Sequence, residues 1–286
     1  MCGIIGIASN KSVSMNIINS LKKLEYRGYD SAGLATLNNN EINEKKCSGR
    51  VEQLEKILFK TSTEGNLGIG HVRWATHGVP NTINAHPHST EIVSVVHNGI
   101  IENSNDLKKQ LELKGLKFKS QTDTEVITLL LTNELKIHQP LDAVHKTLKQ
   151  LKGSFALGII FKNFEDIIIG ARRGSPLAVG YSKDENYLGS DSYALKTMTN
   201  KISYLDDGDI CVLTKDNVSF YDVKKNKINK EVLILSDDKN ISDKGDYKNF
   251  MSKEIFEQPI TAKNCIHEYV DKIRDDVNFY NFPIKP

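Results

Sequence analysis

The sequence predicts an α+β sandwich, and three observations indicate it. Strand-like segments alternate with helices over the first hundred residues, three helical segments follow, and residues 154–223 are then almost entirely short strands. Strands that recur about every ten residues, with turn signals between them, are typical of antiparallel hairpins. A run of helices between two groups of strands favours segregated layers over a doubly wound parallel sheet.

The first hundred residues are expected to alternate strands and helices. Residues 2–8 are apolar and glycine-rich, which suits a buried strand with close neighbours. Residues 13–25 place Ile17, Ile18, Leu21 and Leu24 at helical spacing. We further expect a turn at 27–30 and a helix at 51–59. Strands are expected at 31–37, 41–47, 67–73 and 92–97. The polar segment 74–90 is a long loop, and loops of that length in compact domains are usually functional.

The second half is expected to begin with helices at 104–114, 123–136 and 141–150. The middle helix has Thr122 or Asp123 as its cap and acidic residues near its positive end. Strands are expected at 155–161, 166–171, 177–181, 186–190, 201–205, 209–213 and 219–222. A domain at 2–235 is expected to precede a polar linker at 236–249. The remnant 250–286 is expected to be helical to about 277, with Pro259 as a kink or boundary.

Composition excludes several classes of protein. The 286 residues are 39% hydrophobic and 26% charged. The chain has 38 Lys plus Arg and 36 Asp plus Glu, which gives a formal net charge of +2. That balance gives no electrostatic reason to expect a nucleic acid or a membrane surface as partner. The N-terminus lacks the basic start of a secretory signal, and no segment approaches the roughly 20 apolar residues that span a bilayer. We therefore expect a cytoplasmic protein.

Four cysteines stand at Cys2, Cys47, Cys211 and Cys265. Their wide spacing, without a CxxC pair, argues against a zinc site, and a reducing cytosol favours free thiols. We expect the last three to be buried or half-buried packing residues. Cys2 differs because of its position.

Cys2 becomes the first residue if Met1 is removed, which is favoured when the second side chain is small. Its thiol then lies beside a free α-amine with an ordinary pKa of about 7.7–8.0, which can act as general base toward its own side chain. A thiolate attacks acyl carbons well, so acyl transfer is the natural reaction class. Alone this signal is weak, because any protein can carry a Cys in second position.

Six blocks of residues carry a resemblance to a known family. They are CGIIG at 2–6, LEYRGYDSAG at 24–33, GHVRWATHG at 70–78, NAHPH at 84–88, HNGIIEN at 97–103 and TDTE at 122–125. Together they resemble the class II glutamine amidotransferases, which are N-terminal-nucleophile proteins. The blocks at 24–33 and 70–78 look most like those of the glutamine–fructose-6-phosphate aminotransferases (isomerising), and the resemblance covers roughly residues 2–262. It implies a four-layer αββα sandwich with two antiparallel sheets and hydrolysis of L-glutamine through a Cys2 thioester, and we expect no cofactor.

Glutamine offers an α-carboxylate, an α-ammonium and a side-chain amide, so its site needs a cation, an anion and an acyl-transfer centre. The family pattern implies that Arg73 binds the carboxylate and Asp123 the ammonium. It also implies that the Asn98 side chain and the Gly99 N–H hold the oxyanion. Without the motifs, the charged residues would indicate a surface salt bridge and the Asn-Gly pair a hairpin turn.

The resemblance also implies supporting roles near the nucleophile. Thr76 and His77 line the glutamine pocket, and Trp74 closes the path of ammonia toward a synthase site, with packing in the core as its alternative. Arg27 and Gly28 support the N-terminal region. Four further histidines have spacings that fit no common structural metal site, so we expect no metal there: His71, His86, His88 and His97.

The second half of the synthase family, two sugar-isomerase domains that bind fructose 6-phosphate, has no counterpart here. After Pro259 about 27 residues remain, too few for such a domain. We expect a glutaminase domain in an artificial fragment, a natural truncation or a subunit of a separate synthase, unable alone to form glucosamine 6-phosphate. A homo-oligomer is left open. The alternatives are the glutaminase part of another class II amidotransferase, and a silent glutamine-binding module that retains Met1.

Overall fold

The computed structural model of the chain describes residues 2–235, 246–248, 250–271 and 276–277. The contacts divide the chain into two compact units, Met1–Ser236 and Asp237–Pro286. Within the described residues, no helix is both long enough and apolar enough to cross a membrane.

The first unit contains both large sheets. Its strands are β1 (Gly3–Ser9), β2 (Ser31–Asn38), β3 (Glu41–Ser48), β4 (Leu67–Arg73), β5 (His88–Ser89), β6 (Val93–Ile101), β7 (Gly153–Phe161), β8 (Phe164–Arg173), β9 (Ala178–Tyr181), β10 (Glu185–Gly189), β11 (Lys201–Tyr204), β12 (Ile210–Leu213), β13 (Val218–Tyr221), β14 (Lys227–Ile228) and β15 (Leu233–Ile234). Its helices are α1 (Ser14–Leu24), α2 (Val51–Lys60), α3 (Ser104–Leu113), α4 (Thr124–Glu134), α5 (Pro140–Leu148) and α6 (Ser192–Leu195), with a 3₁₀ turn at Glu25–Arg27.

The strands form an eight-stranded sheet in the order β15-β11-β9-β10-β1-β4-β2-β3 and a seven-stranded sheet in the order β14-β13-β12-β8-β7-β6-β5. The strand pairs are antiparallel, as in β1–β4 of the first sheet and β6–β7 of the second. Strand β1 therefore lies inside the first sheet and β6 near one edge of the second. This confirms the prediction of two antiparallel sheets.

Three apolar clusters separate four layers. One cluster packs α1, α2 and α6 against the outer face of the eight-stranded sheet, and another packs α3, α4 and α5 against the seven-stranded sheet. The third cluster lies between the two sheets. In β1, Ile4 belongs to the cluster between the sheets and Ile5 to the cluster under α1, and both are fully buried. Burial on both faces explains why residues 2–8 show little polar alternation.

Several element boundaries differ from the sequence-based expectation. Strand β6 continues to Ile101, so the Asn98-Gly99 pair lies inside a strand and the hairpin-turn alternative is wrong. Short elements with little periodicity of their own were not expected: β5, β14, β15 and α6. Pairing with a neighbouring strand defines such two-residue strands, and periodicity within the segment does not reveal it.

The second unit holds α7 (Phe250–Tyr269) and a two-stranded sheet of β16 (Val270–Asp271) and β17 (Asp276–Val277). The helix therefore ends at Tyr269 and does not reach 277 as expected. Pro259 lies within the helix and is not its boundary. Most of the expected linker at 236–249 lies outside the described residues, as does the segment 278–286.

Candidate active site

Cys2 lies at the start of β1, beside the end of β4. The antiparallel register pairs Gly3 with Val72, which brings Cys2 next to the residues that follow Arg73. The Trp74 backbone N–H donates a hydrogen bond to Cys2 Sγ at 3.2 Å. Cys2 is half-buried, and all four cysteines are free. Cys47 and Cys211 are buried as expected, whereas Cys265 is exposed and the packing prediction was wrong there.

The surroundings of the Cys2 thiol disfavour its ionised form. Burial raises the pKa of the thiol above its ordinary value, although the Trp74 hydrogen bond and the positive charge of Arg73 oppose that shift. The thiol is therefore protonated near neutral pH. A nucleophilic attack from Cys2 needs a base that takes its proton.

Asn98 contacts Cys2 from the other sheet, and Gly99 lines the same cavity as Cys2. The Asn98 Nδ2 group donates a hydrogen bond of 2.9 Å to the Cys2 backbone oxygen. Gly99 has φ +131°, and a Cβ built there would lie 2.1 Å from the Ser154 backbone oxygen on β7. Only glycine fits this position of the strand.

We expect Gly99→Ala to lower both stability and any activity of the site. The added Cβ has an unfavourable φ and overlaps β7, so the cost should exceed the roughly 1–3 kcal/mol of a strained backbone alone. Gly115→Ala is the matched control, because Gly115 has φ +82° but nothing within 4 Å of its Cβ position. Urea unfolding of both variants measures the difference. If both variants lost the same free energy of unfolding, the contact between the added Cβ and Ser154 would contribute nothing to the cost.

Arg73 and Asp123 supply opposite charges to one cavity, which Cys2, Gly99 and His77 also line. Arg73 is only 3% exposed, and its Nη2 donates to the His77 and Gly78 backbone oxygens. Its Nη1 is buried and has no hydrogen-bond partner within the described part of the chain. A buried donor without a partner is costly, which makes this atom a natural contact for an anionic ligand.

Asp123 precedes α4 but does not cap it with its side chain. Its Oδ2 instead accepts a hydrogen bond of 2.8 Å from the Ile101 backbone N–H, at the end of β6. The start of α4 is thereby tied to the strand that carries Asn98 and Gly99. Asp123 therefore occupies the expected N-cap position, but its side chain bonds to Ile101 instead of capping the helix.

The segment after Arg73 forms the outer wall of the cavity. Trp74, Thr76 and His77 all line it and are exposed. Trp74 is 55% exposed, so the alternative that this residue packs in the core is wrong. The cavity measures about 20 Å³, which is room for about one water molecule.

Arg27 and Gly28 border the same region. Arg27 Nη2 forms an ion pair of 2.7 Å with Asp191, which also accepts a hydrogen bond from the Tyr26 hydroxyl. A Cβ on Gly28 would lie 2.8 Å from both the Arg73 backbone oxygen and the Trp74 Cβ. Gly28 therefore permits close approach of two loops, which fits its expected supporting place.

Asp30 was not expected as a site residue, yet it holds the backbone next to Cys2. Its Oδ2 accepts a hydrogen bond from the Ala75 N–H and its Oδ1 one from the Ser31 hydroxyl. Its own N–H donates to the Arg73 backbone oxygen at 3.2 Å. These bonds bracket Trp74, whose N–H contacts the thiol. The only signal in the sequence was its place in the block at 24–33.

The four histidines considered as metal ligands form a buried group, and His86 and His97 of this group line the cavity. His86 Nε2 and His97 Nδ1 both contact the Thr124 hydroxyl, at 2.8 and 2.9 Å, while His88 Nε2 contacts Thr122 at 2.9 Å. Burial lowers the pKa of all four rings, so they are neutral at neutral pH. Among the described residues, no group of three or more His, Cys, Asp or Glu side chains is arranged to hold a metal.

Comparison with known proteins gives a consistent picture. A family described as a glutamine amidotransferase domain matches residues 79–197, a range that contains Asn98, Gly99 and Asp123. The glutamine–fructose-6-phosphate aminotransferase (isomerizing) of Zymomonas mobilis subsp. mobilis is 45% identical over 278 residues, which are 97% of this chain and 46% of that protein. The Brucella abortus biovar 1 protein of the same name is 48% identical over 272 residues, 95% of this chain and 45% of that protein.

One solved structure with the same fold is the glutamine phosphoribosylpyrophosphate amidotransferase of B. subtilis. It superposes with a TM-score of 0.68 at 23% identity, over 79% of this chain and 50% of that chain. The chain spans about half the length of the curated relatives that it matches.

Proposed function

The chain belongs to the class II glutamine amidotransferases, and we propose that its site hydrolyses L-glutamine to L-glutamate and ammonia, with Cys2 as the nucleophile. The observation that carries the proposal is a single cavity lined by Cys2, Gly99 and the two opposite charges, Arg73 and Asp123. Asn98 adjoins it through its hydrogen bond to the Cys2 backbone oxygen. A thiol, oxyanion donors and two opposite charges are what a zwitterionic amide substrate requires.

In the proposed reaction Met1 has been removed, and the Cys2 α-amine takes the thiol proton as Sγ attacks the glutamine Cδ. The raised pKa of the thiol makes this base necessary. The resulting oxyanion accepts hydrogen bonds from Asn98 Nδ2 and the Gly99 N–H. The intermediate then expels ammonia, which leaves with the proton held by the α-ammonium, and a thioester remains on Sγ.

Water completes the cycle. The α-amine takes a proton from the water that attacks the thioester, and the proton then returns to the departing Cys2 sulfur as L-glutamate is released. The net reaction consumes one glutamine and one water and yields one glutamate and one ammonia. None of the proposed steps requires a cofactor.

Substrate entry requires the outer wall of the cavity to move. The cavity holds about one water, and Arg73 is engaged by the backbone oxygens of His77 and Gly78. A bound α-carboxylate would replace these two backbone oxygens as the hydrogen-bond acceptor of Arg73. The reason is that a bidentate pair between guanidinium and carboxylate is charge-assisted and therefore stronger. Thr76 and His77 would then lie over the substrate.

We further propose that the ammonia serves the amination of fructose 6-phosphate to glucosamine 6-phosphate. The support is the name and the 45–48% identity of the curated relatives. That reaction needs a sugar-isomerase synthase part, on the same polypeptide or on a separate one. We propose that Trp74 closes the ammonia path toward such a part; in support, it is exposed and its backbone N–H contacts Cys2 Sγ.

Intact-mass spectrometry combined with a turnover assay tests the proposal. We expect the purified chain to lack Met1, to release glutamate and ammonia in equal amounts, and to form γ-glutamyl hydroxamate when hydroxylamine intercepts the thioester. A chain that retains Met1 and binds glutamine without turnover would instead support the silent binding module. Adding synthase parts of different amidotransferases then identifies the acceptor sugar.

A further inference from the structure

We propose that His71 is a positioning residue that orients the Asn98 carboxamide, so that its NH₂ group faces the nucleophile and the developing oxyanion. The inference rests on the proposed function and adds to it a residue that does not line the cavity. It is carried by hydrogen-bond geometry between β4 and β6.

His71 Nε2 lies 3.0 Å from the His97 backbone oxygen and 3.0 Å from Asn98 Oδ1. A backbone oxygen can only accept, so Nε2 must carry the hydrogen and share it between the two oxygens. Asn98 therefore presents its oxygen to His71, and its Nδ2 faces Cys2.

The opposite amide orientation is disfavoured on both sides. Turning the Asn98 amide would place Nδ2 against the Nε2–H of His71, so that two donors face each other. It would also place Oδ1 against the Cys2 backbone oxygen, which Nδ2 now contacts at 2.9 Å, so that two acceptors face each other. Asn98 is only 7% exposed, so water would not readily satisfy these groups.

The surroundings hold His71 in the required state. The ring is fully buried and stacks on His86 with 4.3 Å between centroids. Burial lowers the pKa of His71 to about 3, and the charge of Arg73 acts in the same direction, so the ring is neutral in the working range. Its Nδ1 has no hydrogen-bond partner within the described residues.

The contact also joins the two sheets at the site. His71 pairs with Ile4 in the eight-stranded sheet, two residues from Cys2, while Asn98 belongs to the seven-stranded sheet. One imidazole N–H therefore links the strand next to the nucleophile with the strand that supplies the oxyanion donor. A packing role alone would not require a donor at Nε2.

Two substitutions separate the donor from the bulk of the ring. In His71→Gln the amide nitrogen is as many bonds from Cβ as Nε2 is in the native histidine, so it can reach the same acceptors. In His71→Asn the nitrogen reaches only the Nδ1 position, where the native ring has no partner. We expect His71→Asn to lower kcat for glutamine hydrolysis about 10- to 100-fold with KM changed less than about threefold, because a full oxyanion donor is worth about 10²- to 10³-fold. We expect His71→Gln to recover activity to within about fivefold of the native chain.

A double-mutant cycle with Asn98→Ala shows whether His71 acts through Asn98. In the Asn98→Ala background, His71→Asn should cause less than about twofold further loss, since the group it orients is gone. Multiplicative losses would overturn the proposal. So would equal losses in the two His71 variants, or native kcat in a folded His71→Asn chain as judged by thermal unfolding.

Nitrogen NMR of the resting protein tests the same arrangement without turnover. We expect a neutral His71 ring protonated at Nε2, and Asn98 Nδ2 proton shifts that are kept in His71→Gln and move toward those of a solvated carboxamide in His71→Asn. A ring protonated at Nδ1, or unchanged Asn98 signals in both variants, would overturn the proposal. If the native chain shows the expected spectra but does not hydrolyse glutamine, the proposed function fails and the orientation of Asn98 stands.

Discussion

Cys2→Ala is expected to abolish glutamine hydrolysis. Removal of a covalent nucleophile in a comparable acyl-transfer enzyme costs about 10⁶-fold in kcat. Among the residues that the structure describes, no other thiol lines this cavity. Glutamate release by the native chain and by the variant gives the comparison. Stability should change little, because Cys2 is only half-buried and directly precedes β1.

Cys265→Ala is the matched control for the loss of a thiol. Cys265 is exposed on α7, in the second unit of the chain, and its replacement should leave the rate unchanged. Cys2→Ser adds a second comparison, since its hydroxyl keeps the geometry but is the weaker nucleophile. If Cys2→Ala kept more than about 1% of the native rate with purified protein, the thioester mechanism would be wrong.

Arg73→Ala is expected to raise KM for glutamine by about 10²- to 10⁴-fold. Two charge-assisted hydrogen bonds to the α-carboxylate would be lost, each worth about 1.5–3 kcal/mol. Arg73→Lys should recover only part of this, because lysine keeps the charge without the planar fork. Steady-state kinetics over a wide glutamine range separates KM from kcat.

A substrate analogue gives the reciprocal control. 4-Aminobutanamide has the amide and the amine of glutamine but no carboxylate, so the native chain should discriminate strongly against it and Arg73→Ala should not. The matched experiment for Asp123→Asn uses an analogue that lacks the amine. Undiminished discrimination against 4-aminobutanamide by Arg73→Ala would place the carboxylate elsewhere.

Much of the fold could be predicted because the large elements carry strong local signals. The expected helix at 13–25 is α1 at Ser14–Leu24, and the expected strands at 31–37 and 67–73 are β2 and β4 within a residue of their bounds. The signal failed where pairing decides the structure. The helix expected to 277 ends at Tyr269 because residues 270–271 pair with 276–277.

In the site, too, some features could be predicted from the sequence and others could not. The residues predicted to line a glutamine pocket meet around one cavity, among them Cys2, Arg73, Gly99 and Asp123. The partners that hold them could not be predicted. Asp30 supports the backbone beside the thiol through the Ala75 N–H, 45 residues away in the chain. Only strand register brings such groups together.

The sequence by itself determined the fold class through local periodicity and the nucleophile candidate through the position of Cys2. It identified the two charges only through the resemblance of the motifs that contain them. The tertiary structure decided how the groups are held. It placed Asn98-Gly99 inside a strand, turned Asp123 toward Ile101, exposed Trp74 and set His71 against Asn98. These features depend on pairings between segments distant in the chain and on burial, which a linear pattern of residues does not specify.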